Sequence, residues 1–317
     1  MRINLAADTA ACAAISEVMT AKPRSTRGLV RTGEVLSISR RRFHRIAYTE
    51  WGDRDSKRVA LCVHGLTRQG RDFDFLAARL VTQGYYVVCP DLVGRGRSGW
   101  LADPEDYALP QYAVDMTTLI ARLGVDEVDW IGTSLGGLVG MVMAGMPHSP
   151  IRRLVINDIG PYLPWGALRR IGDYLHRAPR DFPDLQAAED YFREVLAPFG
   201  QLTDAQWRHV TQHGVVQDEA GRYRFNYDPG IARAFRPGLV YNLSLWGYWD
   251  AIRCPVLVLR GAESDLLLPH TAAEMARRGP GAEVVEIAGC GHAPALMDDE
   301  QIGLVANWLA QTHFART

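Results

Sequence analysis

Six short apolar runs with little polar alternation constrain this chain more than any other feature. They lie at residues 58–63, 85–89, 128–131, 153–156, 255–260 and 283–287. A strand with one wet face alternates, so runs like these belong to strands covered on both faces. Helical patterns separate them, at residues 72–83, 112–123, 135–146, 271–278 and 298–312. Gly124 stops the second of these and Pro147 the third. Strands alternating with helices imply a parallel sheet with helices on both sides, and hence a doubly wound, mostly parallel α/β fold. At 317 residues and 47% apolar, the chain can bury one large core, alone or with an insertion.

The rhythm fails between residues 161 and 250. That stretch reads as a helical insertion, with helices over 167–176, 185–196 and 204–212. It holds Trp165, Trp207, Trp246 and Trp249, four of the chain's eight tryptophans. Most of its aromatics are accounted for as the insertion's own core. Trp165 and Trp246 are the candidates for facing a substrate pocket beneath a lid. The expected division is a flexible N-terminal leader over 1–33, an α/β core over 34–160 and 251–317, and a helical cap over 161–250.

Composition excludes several classes. A net charge of −1 offers no general attraction to nucleic acid or to an anionic membrane. Asp8 and Glu17 interrupt the Ala-rich start, so it lacks the apolar region of a secretory signal. No run of about 18 apolar residues suggests a transmembrane helix. Five cysteines is an odd number, and none has metal-type spacing. Cys62, Cys89 and Cys254 lie in or beside apolar runs, which suits small buried thiols in a reducing cytoplasm.

The chemistry centres on Gly132-Thr133-Ser134-Leu135-Gly136, set between a strand and a helix. By composition alone, G-x-S-x-G arises in about one chain in ten of this length. The strand–turn–helix setting is what gives it meaning. A sharp turn exposes the hydroxyl, glycines on either side make room for it, and the helix N-terminus favours developing negative charge.

A serine hydroxyl needs a base. His292, in Gly289-Cys290-Gly291-His292, follows the last strand, and loops at the C-terminal edge of a parallel sheet converge. His64 is the near rival, and Gly65 beside it suggests a turn role instead. For the acid that orients the base, Asp265 follows the 255–260 strand and gives the chain order Ser134, Asp265, His292. Asp158, after the preceding strand, is the alternative, though it also suits a turn. The oxyanion donors are expected to be the backbone N–H groups of Leu135 and Leu66.

Taken as a set, His64-Gly65, the Asp91-to-Ser98 segment with Gly94 and Gly96, the Ser134 turn and Gly291-His292 resemble the α/β-hydrolase superfamily over roughly residues 45–312. The resemblance implies an eight-stranded sheet, a cap inserted after the sixth strand, no cofactor, and hydrolysis through an acyl-serine. It implies a structural turn for Ser98. The dehalogenase and epoxide-hydrolase branches place an aspartate where this chain has Ser134. The expected substrate is a small-molecule carboxylic ester or lactone, with no metal and no nucleic-acid partner. Diketone carbon–carbon hydrolysis, perhydrolase chemistry and amide hydrolysis are alternatives on the same residues. A ligand receptor on the same fold is a further one.

Overall fold

The computed structural model describes residues 30–235 and 242–311, so the leader expected over 1–33 lies outside the described residues up to position 29. From Arg31 onward the chain is sheet. β1 (Arg31–Ile38) pairs antiparallel with β2 (Phe43–Trp51), so residues 31–33 belong to the core and not to a leader. Neither strand stands out as an apolar run, because both carry charge. Glu50, inside β2, is fully buried. Burial alone raises its pKa, but hydrogen bonds from Tyr86, Arg31 and Arg54 outweigh this and leave it lowered.

Every residue of β3 (Val59–Val63) is buried. Val59, Leu61 and Val63 pack on one face of the sheet, and Ala60 and Cys62 on the other. That two-sided burial is the physical content of a run without alternation. α1 (Asp74–Thr82) leads to β4 (Tyr86–Pro90), and α2 (Leu109–Leu123) to β5 (Val128–Thr133). Gly124 ends α2 at φ 67°, a left-handed cap that suits glycine. α3 (Leu135–Ala144) is buried at all ten positions, and β6 (Ile151–Asn157) follows.

After β6 the chain leaves the sheet. The insertion contains β7 (Tyr162–Leu163), α4 (Trp165–Arg177), α5 (Leu185–Val195), α6 (Asp204–Gly214), β8 (Val215–Gln217), β9 (Tyr223–Phe225), β10 (Leu243–Ser244) and α7 (Trp246–Ala251). Its three longer helices fall where the sequence places them. Two short antiparallel pairs, β7·β10 and β8·β9, add strands to a stretch expected to be helical. Thr203 and Gln206 form a reciprocal capping box that fixes the start of α6. The chain then re-enters the sheet as β11 (Val256–Gly261), α8 (Pro269–Met275), β12 (Glu283–Ile287) and α9 (Asp299–Ala310).

The sheet order is β1-β2-β4-β3-β5-β6-β11-β12, antiparallel only at β1·β2 and β2·β4. The C-terminal ends of β3, β5, β6, β11 and β12 therefore meet at one edge, with β6 and β11 lying between β5 and β12. Cys62, Cys89, Cys254 and Cys290 are free thiols; Cys12 lies outside the described residues. No helix among the described residues is long and apolar enough to cross a membrane.

Candidate active site

Ser134 sits where β5 turns into α3, with φ 50° and ψ −111°. Such a conformation costs on the order of 1–3 kcal/mol for a residue with a Cβ, so its surroundings must hold it. Its N–H donates to Asn157 O at 2.9 Å. The flanking glycines are required by space. A Cβ on Gly132 would lie 2.3 Å from Gly136 O, and one on Gly136 would lie 1.9 Å from Val63 O. Both obstacles are backbone and cannot swing aside. Gly136→Ala is accordingly expected to destabilise the protein by about 3 kcal/mol or more, or to prevent folding. Urea unfolding measures this, and wild-type stability in the variant would show the turn to be looser than described.

His292 lies beyond β12, in a loop held from two sides. The Gly291 N–H donates to Pro198 O at 2.8 Å, in the insertion's 3-10 turn at Ala197–Phe199. Asn157 Nδ2 donates to Pro294 O at 2.8 Å and to Thr133 Oγ1 at 3.1 Å, tying this loop to the Ser134 turn. The result is a 2.8 Å contact between Ser134 Oγ and His292 Nε2.

The carboxylate on the far side of the imidazole belongs to Asp158, whose Oδ2 is 2.8 Å from His292 Nδ1. An ionised carboxylate only accepts, so Nδ1 carries the proton and Nε2 is left to accept from Ser134. Asp158 is fully buried, at φ 56°. It also accepts from the Gly261 N–H at 2.8 Å and from Ser264 Oγ at 2.6 Å. This corrects the expectation for Asp265. The Asp265 carboxylate points outward, about half exposed, and pairs with Arg170 of α4 at 2.6 Å. The reason is position along the strand ends. Asp158 follows β6 directly, under the path of the His292 loop, whereas Asp265 stands four residues beyond β11. Ser264, next to it, is the residue that turns inward.

His64 is not a second base. Its Nε2 accepts from the Leu92 N–H at 2.9 Å and its Nδ1–H donates to Gly65 O at 2.7 Å, so it is neutral and fully engaged. Burial pushes its pKa down to about 3. It shapes the loop after β3. A Cβ on Gly65 would lie 3.7 Å from Ser134 Cβ, which places this loop against the serine. Leu66 is in the turn of that loop, and its carbonyl accepts from Arg95 Nε at 2.8 Å. Leu135 is the first residue of α3, where backbone N–H groups have no partner within the helix. Ser98 is buried and accepts from the Ala47 N–H at 2.8 Å, in keeping with the structural turn that the resemblance implies.

The aromatic residues beside the β3 loop differ from those the sequence singles out. Trp165 is half-buried, with Arg169 over its ring at 5.5 Å; Trp246 is half-buried, with Arg278 over its ring at 4.4 Å. The Tyr174 hydroxyl of α4 instead lies near the Thr67 side chain, in the loop that touches Ser134. Burial raises the pKa of Tyr174 and that of Tyr227, and the nearby Tyr174 and Tyr191 hydroxyls add to the rise at Tyr227. Phe225 stacks on Tyr227 at 5.1 Å and meets Tyr191 at 5.6 Å. No periodicity separates these tyrosines from core residues. Their signal is that three separate segments bring a phenol to one place.

The chain is similar in sequence and in fold to known hydrolases. A family model described as the alpha/beta hydrolase family matches residues 60–306. A 3-hydroxybutyrate-oligomer hydrolase from Cupriavidus necator is 48% identical over 282 residues, covering 86% of this chain and 96% of that protein. An esterase from Mycobacterium tuberculosis is 25% identical over 269 residues, 81% of this chain and 84% of its own length. The crystal structure of an alpha/beta hydrolase from Novosphingobium aromaticivorans superposes with a TM-score of 0.80 at 33% identity, covering 90% of this chain and all of that one.

Proposed function

The chain belongs to the alpha/beta hydrolase family, and from that premise we propose that it hydrolyses short oligoesters of a 3-hydroxy acid through an acyl-serine on Ser134. The observation that carries the mechanism is the continuous line from Ser134 Oγ to His292 Nε2 and from His292 Nδ1 to Asp158 Oδ2, each contact 2.8 Å. The substrate class rests on the 48% identity to a 3-hydroxybutyrate-oligomer hydrolase across 96% of that protein.

In this reading His292 takes the proton of Ser134 as Oγ attacks the ester carbonyl. The developing oxyanion accepts from the backbone N–H groups of Leu66 and Leu135, the second at the positive end of α3. His292 then protonates the departing alkoxide, the hydroxyl end of one hydroxy-acid unit. Water then attacks the acyl carbon and gives a proton to His292; the acyl–Oγ bond breaks, the acid leaves, and His292 returns the proton to Ser134 Oγ. Asp158 stays ionised throughout, holding the imidazole in one tautomer and stabilising its cation. The insertion acts as a cap, and Tyr174, Tyr191 and Tyr227 give the acyl chain an apolar wall with hydroxyl groups along it. Substitutions at Trp165 or Trp246 change selectivity among esters, if at all, only through the packing of the cap.

Incubation of the purified protein with 3-hydroxybutyrate dimer and trimer, followed by chromatography of the released monomer, tests the substrate. The expected result is monomer release with kcat/KM above that for a p-nitrophenyl ester of similar acyl length. An enzyme active on simple esters but inert toward the oligomers would keep the mechanism and remove the substrate assignment.

A further inference from the structure

Away from Ser134, α6 presents His209 and His213 one helical turn apart, on the same side of the helix. Asp74, the first residue of α1, faces them. One ligand atom from each of the three residues lies within 4.8 Å of the others. We propose that Asp74, His209 and His213 form a binding site for a divalent transition metal of the zinc class, joining α6 of the insertion to α1 of the sheet domain.

Two observations carry this. The first is that His213 Nε2 is buried without a hydrogen-bond partner, a cost that ligation removes. Arg71 pairs with Asp74 at 2.7 Å, and a carboxylate has about four acceptor positions and can keep this partner while it ligates. The second is reach. Atoms at the corners of a 4.8 Å triangle stand ~2.8 Å from its centre, so each closes by ~0.7 Å or less to reach zinc-ligand distance. His209 Nε2 is already 3.6 Å from Asp74 Oδ2. Ligation through that nitrogen gives up its 2.8 Å hydrogen bond to Arg71 O and leaves the ring proton on Nδ1. The groups around the site are Arg68, Arg71, Asp72 and Arg97, and the three arginines disfavour a bare cation. This argues for a tightly coordinating metal over calcium or magnesium.

Asp74 stands four residues after Gly70, downstream of the loop that touches Ser134, so a bound ion would pin the insertion against that loop's far end. Cobalt(II) titration of the full chain, followed by absorption and by thermal unfolding, tests the proposal. One equivalent is expected to bind with visible bands of nitrogen and oxygen ligation, without the near-ultraviolet band of a thiolate, and to raise Tm. His213→Gln should weaken binding at least tenfold while leaving the metal-free Tm within a few degrees. His209→Gln serves if that variant does not fold. No binding by the wild type, a thiolate band, or undiminished binding in a folded histidine variant would overturn it.

Discussion

Ser134→Ala is expected to lower kcat for ester hydrolysis by about 10⁵–10⁶-fold while leaving the fold intact. The alanine keeps the Cβ that the turn already accommodates at φ 50° and loses only the hydroxyl that meets His292 at 2.8 Å. The glycine contacts and the Ser134 N–H bond to Asn157 O do not involve the side-chain oxygen. Stability should therefore change by less than about 1 kcal/mol, since one partly buried hydrogen bond is at stake. Residual rate above the uncatalysed reaction would come from the Leu66 and Leu135 donors and from substrate positioning. Steady-state kinetics with circular dichroism on the same preparation separates the two effects. A folded variant that keeps a tenth of the activity would mean that Ser134 is not the nucleophile.

The second large effect belongs to Asp158→Asn. An asparagine has one acceptor oxygen where the carboxylate has two, yet three donors converge on it: His292 Nδ1, the Gly261 N–H and Ser264 Oγ. One donor is stranded, costing about 1–3 kcal/mol in a fully buried place. If the amide NH₂ faces the ring, His292 must present Nε2–H to Ser134 and cannot take its proton. The serine-protease example of that change loses about 10⁴-fold in kcat, and a fall of similar order is expected here. Asp265→Asn is the control. Its ion pair with Arg170 is about half exposed on both sides, so the expected change is within about 1 kcal/mol, with activity within about threefold. Equal losses in the two variants, or a larger loss at Asp265, would return the acid to Asp265.

The contrast between these carboxylates shows where the sequence stops being legible. Ser134 and His292 could be found because each sits in a glycine-bearing turn at a strand end, and the turn itself leaves a pattern. The order of strands, and so the position of β6 between β5 and β12, comes from pairing that no local pattern records. Without it, Asp158 and Asp265 look alike, each an acid after a strand. Five two-sided strands were legible as apolar runs, as in β3, whose alternate residues enter opposite faces; the sixth run, β12, is an edge strand on which Glu283 and Glu286 stay exposed. β1 and β2 were not, because Arg31, Glu34, Arg45 and Glu50 interrupt them, and only the folded structure shows their partners, such as the Arg31–Glu50 pair at 2.8 Å. In the insertion, helical periodicity located α4, α5 and α6. It could not distinguish Trp246, held under Arg278, from Tyr174, held against Thr67.

The proposed mechanism requires Ser134 to form a covalent intermediate in the course of ester cleavage. Treatment with a phosphonate ester mimic, monitored by intact-protein mass and by residual activity in parallel, tests this directly. The predicted result is one adduct per chain, on the peptide containing Ser134, accumulating in step with loss of hydrolysis and absent from Ser134→Ala. An enzyme inactivated by labelling at another residue, or one still active with Ser134 fully modified, would contradict it.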